Sequence, residues 1–149
     1  MLIYYANRGK PLNETVDRIN SIARSIEDCE STEELMAVEG NIRDEYYQAF
    51  DIILDSEHFV FETRTKRPPK NRLNALISFA NSLVYTTCLS EIYHTHLDPR
   101  IGYLHTTNFR RFTLNLDVAE IFKPIIADRV IFNLVNKGII KSQHFEKKT

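Results

Sequence analysis

The chain is 149 residues long, 43% hydrophobic and 26% charged, with a net charge of −1 and four glycines. That length suffices for one domain with a real hydrophobic core, and the composition excludes a disordered, collagen-like or coiled-coil chain. No apolar run approaches the roughly 20 residues that cross a bilayer, and the near-neutral charge leaves any nucleic-acid partner to a local basic patch.

The opening MLIYYANRGK lacks the order of a secretory signal. Cys29 and Cys88 form no metal-like pair and read as buried thiols in a reducing cytoplasm. From residue 12, LNETVDRINSIARSI places Leu12, Val16, Ile19, Ile22, Ala23 and Ile26 at helical spacing. A second helix follows in STEELMAVEGNIRDEYYQAFDIIL, opened by Ser31 and Glu34 as a capping box. The stretch SEHFVFETRTKRPPKNR is a polar connector, since Pro68 and Pro69 cannot sit inside a helix. It holds one candidate short strand, HFVFE. A third helix runs through NRLNALISFANSLVYTTCLSEIYHTH, with Leu73, Leu76, Ile77, Ala80, Leu83, Val84, Cys88, Ile92 and Tyr93 making it mostly buried. LDPRIG then breaks the chain at Pro99 and Gly102. A last helix spans about Phe112 to Lys137, with Gly138 as its stop and a kink or break at Pro124. The pattern predicts an all-α domain.

Two of these helices carry carboxylates where the apolar pattern expects none. In the last helix Leu114, Val118, Ile121, Ile125 and Phe132 share a face. Asp117 lies at its margin and Glu120 on the next ridge, three residues on, so the two are neighbours. In the second helix Leu35, Ile42, Tyr46, Ala49 and Ile53 form a stripe that Glu39 interrupts, and a charge so placed needs a partner. Gly40 follows at a cost of about 1 kcal/mol relative to alanine, which a close approach by backbone or ligand would explain. Glu39, His105, Asp117 and Glu120 together make three carboxylates and an imidazole, a set that suits Mn²⁺ or Mg²⁺ better than structural zinc. The competing reading is a solvated face, with Glu120 paired to Lys123. His58, His94, His96 and His144 have no carboxylate pair nearby in sequence and read as structural or surface groups.

The connector concentrates positive charge. Arg64, Lys66, Arg67, Lys70 and Arg72 occur with no acid among them, and Arg110 and Arg111 lie between His105 and Asp117. Such clusters bind phosphate backbones through counterion release; the alternative is a solvated, proline-stiffened loop. Beside a hard metal they are what phosphodiester chemistry requires.

Four stretches in order resemble the CRISPR-associated adaptation integrase and endonuclease family: VEGNIRDEYY, RPPKNRLNALISFANSLVY, LDPRIGYLH and TLNLDVAEIFKPIIADRVIF. The resemblance covers most of residues 35 to 135. It implies a helical catalytic domain with a divalent ion, manganese or magnesium. The ligands it implies are Glu39, His105 and Asp117, with Glu120 beside them and Lys123 where the family often has arginine. The reaction it implies is spacer acquisition: a 3′-hydroxyl of captured DNA attacks a phosphodiester at a CRISPR repeat boundary, with water as the nucleophile in a nuclease side reaction. Implied partners are prespacer and repeat DNA, a second copy of the chain in the full-length family, and the adaptation protein "Cas two", all in the cytoplasm and away from membranes. Asn74 and Asp98 also match and read as structural. Family members run longer than this chain and begin with a β-rich domain, so the expected fold is an all-α, multi-helix catalytic domain lacking that domain, with residues 1–149 as one helical unit. A non-catalytic DNA-binding or assembly remnant is the alternative function.

Overall fold

A computed structural model describes residues 1–105 and 112–145, which form six α-helices and, among the described residues, no strand. A short α1 (Leu2–Ala6) precedes α2 (Asn13–Arg24), which ends in one turn of 3-10 helix. Helix α1 has no counterpart in the sequence reading, because five residues are too few to show a period. Helix α2 packs on α3 (Thr32–Leu54), and Arg18, paired within α2 to Glu14 at 2.8 Å, ties the two helices by its bond to Glu45 at 2.9 Å. The N-terminus of α3 is capped as expected, with the Ser31 hydroxyl accepting from the Glu34 amide. The return bond differs from a full capping box: Glu34 accepts from the amide of Glu30, one residue before the cap.

The connector after α3 is irregular throughout, so the expected strand at HFVFE is corrected. No neighbouring strand is there to satisfy its backbone. Phe59 is buried instead, Phe61 stacks on Tyr47, and the Phe61 amide donates to Asp51 at 2.6 Å. Helix α4 (Arg72–Tyr93) starts at Asn71, whose side chain accepts from the Asn74 amide at 2.8 Å. It buries one face through Leu73, Asn74, Ile77, Asn81, Val84, Cys88 and Ile92. Leu83 and Tyr93 lie outside that face and are exposed, so the helix is less enclosed than its composition suggests.

The expected long last helix is interrupted at Pro124, as its sequence requires. Helix α5 (Thr113–Phe122) leads into a π turn (Pro124–Asp128) and then α6 (Arg129–Asn136). Pro124 has no amide to donate and its ring crowds the carbonyl four residues back. The wider turn accommodates this, and the Asp128 amide bonds the Lys123 carbonyl five residues earlier at 3.0 Å. Gly138 stops α6 in the left-handed region at φ 66. The extra residue changes the register, so Ile121 and Ile125 are exposed rather than sharing a buried face with Phe132.

The main core centres on Phe50 of α3 and Phe132 of α6, 4.6 Å apart edge to face, with Leu12, Ile53, Leu73 and Ile77 around them. A smaller core of Val84, Cys88, Ala119 and Ala127 joins α4 to α5 and the π turn. Cys88 is buried as expected, while Cys29 is only half-buried. No helix among the described residues is long and apolar enough to cross a membrane.

Candidate functional site

Asp117 is the most deeply held of the expected site residues, not a group at the margin of its face. Its side chain is fully buried, because α5 is enclosed on more than one side, with Thr113, Leu114, Asn115 and Ala119 buried as well. The preceding loop wraps its carboxylate. Oδ2 accepts from the amides of Tyr103 at 2.7 Å and Leu104 at 3.2 Å, and Oδ1 accepts from the amide of His105 at 3.1 Å. The His105 ring nitrogen Nδ1 lies 2.6 Å from Oδ1. Burial alone would push this carboxyl up, but the bond from His105 and the three amide bonds together hold it below the usual range. With Asp117 ionised, the contact at Oδ1 is a hydrogen bond donated by Nδ1.

Gly102 makes that loop possible. A Cβ there would sit 2.7 Å from Asp117 Oδ2 and 2.9 Å from two atoms of Thr113. The close approach that the sequence suggested for Gly40 is therefore at Gly102, since a Cβ on Gly40 would meet nothing within 4 Å. Thr113 closes the corner: its hydroxyl donates to the Arg100 carbonyl at 2.7 Å and accepts from the Gly102 amide at 2.9 Å.

Glu39 and Glu120 belong to a second group. Arg43, one turn after Glu39, lies 3.1 Å from it and 3.8 Å from Glu120. The Lys123 ammonium donates to Glu120, as the competing sequence reading had it, and sits 4.6 Å above the ring centre of Tyr85. Lys123 is 8% exposed. Burial would lower its pKa, but the Glu120 carboxylate beside it raises it. The four expected ligands are thus two ion-paired groups. Among the described residues, no three His, Cys, Asp or Glu side chains are gathered to hold a metal ion. The donor types suit a hard divalent cation, but their arrangement does not.

Two cavities meet at the second group. The first, about 500 Å³ and mostly apolar, lies under α1 and α2 and takes in Glu39, Glu120, Tyr46 and Asp128. Asp128 is 2% exposed and accepts from the Tyr46 hydroxyl at 3.0 Å, while its Oδ1 has no hydrogen-bond partner among the described residues. Burial pushes its carboxyl up to about 7, and burial together with the Asp128 charge pushes the Tyr46 phenol up as well. The second cavity, about 440 Å³, is lined by Arg64, Lys66 and Arg67 from the connector and by Ser78, Asn81, Ser82 and Tyr85 from α4. Asp44 is the carboxylate on its lining. Burial and then the charges of Arg43, Arg64 and Lys123 lower the Lys66 pKa, the mark of crowded positive charge. Arg43, Tyr47 and Lys123 line both cavities.

Arg64 is fixed rather than solvated. It donates to Asn74 Oδ1 at 2.9 Å and to the Ser78 hydroxyl at 3.0 Å. Asn74 is fully buried; it also accepts from the Thr65 amide and donates to the Thr63 carbonyl, which sets the connector's path. Lys70 and Arg72 do not line the cavity, and Arg110 and Arg111 fall outside the described residues. The sequence reading missed Arg43, Asn81 and Tyr85. Only Arg43 left a usable signal there, its spacing of four from Glu39.

The chain matches the family described as "CRISPR associated protein Cas1" over residues 1–149. It is 80% identical over 148 residues to a protein of Thermodesulfovibrio yellowstonii named "CRISPR-associated endonuclease Cas1 2", covering 99% of this chain and 45% of that protein. It is 56% identical over 131 residues to a CRISPR-associated endonuclease of Thermotoga maritima, covering 88% of this chain and 41% of the relative. A solved structure of a protein of this kind from Thermotoga maritima superposes with a TM-score of 0.82 at 56% identity, over 88% of this chain and 42% of the other. The chain therefore spans less than half the length of these relatives.

Proposed function

Since the chain belongs to the CRISPR-associated Cas1 family, we propose that it acts in the cytoplasm as one helical domain of a DNA endonuclease and integrase of spacer acquisition. Its substrates are then prespacer and CRISPR repeat DNA, and its protein partners a second copy of the chain and "Cas two". The observation that carries this reading is the basic cavity whose Tyr85 and Lys123 contact Glu120, one helical turn along α5 from the buried Asp117. Fixed arginine and lysine charges there neutralise a phosphodiester, with most of the binding energy coming from released counterions.

The bond changes are those of phosphoryl transfer. A 3′-hydroxyl or water oxygen bonds to phosphorus as the bond to the leaving 3′-oxygen breaks, the nucleophile's proton goes to a base and the leaving oxygen takes one from solvent. Asp117 holds the His105 ring at Nδ1, which leaves Nε2 as its ligand nitrogen, and solvent water is the base that takes the nucleophile's proton. Arg64, oriented by Asn74 and Ser78, anchors the phosphate, and Lys66, Arg67 and Lys123 add charge around it. Lys70, Arg72, Arg110 and Arg111 extend the DNA-binding surface in this proposal. Mn²⁺ or Mg²⁺ held by Glu39, His105, Asp117 and Glu120 belongs to this reading through the donor types alone, and would supply charge neutralisation at the phosphate.

The test is cleavage of a branched DNA with Mn²⁺, with chelator as control. Expected is cutting by the wild type that chelator stops and that His105→Ala and Glu39→Ala abolish while the fold is kept. A wild type that binds DNA in a salt-dependent way yet never cuts overturns the enzyme reading. It favours the binding-only alternative, which the ion-paired state of Glu39 and Glu120 supports.

A further inference from the structure

The two expected ligands that are tied up, Glu39 and Glu120, are tied up by the same two cations that face the phosphate cavity. Arg43 and Lys123 line both cavities, and their ion pairs hold the acidic side. We propose that Arg43 and Lys123 are a shared cation bridge: a DNA phosphate entering the basic cavity draws them off Glu39 and Glu120 and so frees both carboxylates. This rests on the reading of the basic cavity as a phosphate site.

Two observations support it. The pairs are side chain to side chain: Arg43 is about one-third exposed and Glu39 and Glu120 about one-quarter, so neither burial nor backbone locks the Arg43 pairs, while Lys123 is the buried member of the seam. Arg43 is split between two carboxylates at 3.1 and 3.8 Å, a geometry that leaves donors of its guanidinium for another acceptor. The carboxylates and a phosphate compete for one set of cations. By linkage, whatever then binds the freed carboxylates tightens phosphate binding by the same factor as phosphate tightens it. The mismatch between the donor types and their arrangement is then the resting state of a coupled pair of sites.

The test is a double-mutant cycle on binding of a short DNA duplex in chelator, followed by Mn²⁺ binding read by the electron spin resonance of the free ion. In chelator, Glu120→Gln frees Lys123 and is expected to tighten DNA binding roughly fivefold. In a background that lacks both cations, Lys123→Met with Arg43→Gln, the same change has no effect. Asp44→Asn removes an equal charge from the same cavity lining and is expected to do less, because no ion pair joins Asp44 to either cation among the described residues. Where burial of Lys123 makes its replacement unfold, Glu39→Gln with Arg43→Gln gives the same cycle at an exposed pair. A Glu120→Gln effect that persists without Lys123 and Arg43, or equals that of Asp44→Asn, is a general field effect and overturns the bridge. In the second arm Arg43→Gln is expected to tighten Mn²⁺ binding without DNA by roughly the same factor. A positive cycle with no Mn²⁺ binding in any variant keeps the bridge and removes the metal from the proposed function. Mn²⁺ binding that ignores both DNA and Arg43 keeps the metal and removes the bridge.

Discussion

Two carboxylate groups three residues apart on one helix are held in opposite ways. Asp117 is gripped by the backbone of residues 103–105 and by His105, with its side chain wholly buried. Glu120 is held by the side chains of Arg43 and Lys123 at the rim of two cavities. The first arrangement is built into the chain path and can change only if the loop opens. The second changes whenever a side chain rotates. A site that must be preorganised yet admit a ligand benefits from having both: a fixed corner that orients His105 and an exchangeable seam that trades partners.

The sharpest way to break the contrast is Asp117→Ala. It leaves three loop amides without their acceptor, and at about 1–3 kcal/mol for each buried group left unpaired the loss should reach 3 kcal/mol or more by denaturant unfolding. A loss near 0.5 kcal/mol would place Asp117 with the exchangeable seam. Next in size are the opposite pH responses of two buried carboxyls. The Asp117 carboxyl is lowered in the fold, so its contribution is present above the unfolded value of about 4 and disappears as pH falls through its folded value. The Asp128 carboxyl is raised to about 7, so its contribution is full below about 4 and is lost as pH rises through about 7. Stability measured against pH should therefore decline across that upper window, and Asp128→Asn should flatten the decline; an unchanged slope would assign it to other groups. Gly102→Ala follows, with a Cβ forced against Thr113 backbone and Asp117, at about 1–3 kcal/mol by the same unfolding measurement. The smallest effect is Arg43→Gln, under about 1 kcal/mol because its pairs are partly exposed. A larger loss there would mean that the seam carries fold stability and cannot exchange freely.

Helices α2, α3 and α4 and the break at Pro124 could be read from the sequence because each rests on local chemistry: a period, a cap, or a missing amide. The donor types of the site could be read the same way, and so could the Glu120–Lys123 pair at spacing three. What stayed hidden depends on tertiary geometry. The depth of Asp117 follows from a loop folding back over α5, which no helical period encodes. The outward turn of Ile121 and Ile125 follows from one extra residue in the π turn. HFVFE has the composition of a strand but no partner strand, and its phenylalanines serve the helical core instead. Tyr85 and Asn81 look like ordinary α4 positions until the connector closes over them to make the basic cavity.

The π turn also sets a phase. Each residue of a regular helix advances the side-chain direction by about 100°. A turn closed over five residues takes up one residue without passing its rotation on, so α6 faces as it would if α5 ran straight into it with one residue fewer. Deleting Pro124 should therefore join α5 and α6 as an unbroken helix with Phe132 still against Phe50. Deleting Val130 instead would turn Phe132 away from Phe50 by about 100° and should cost far more stability by denaturant unfolding. The widened turn stores one residue and hides it from the core.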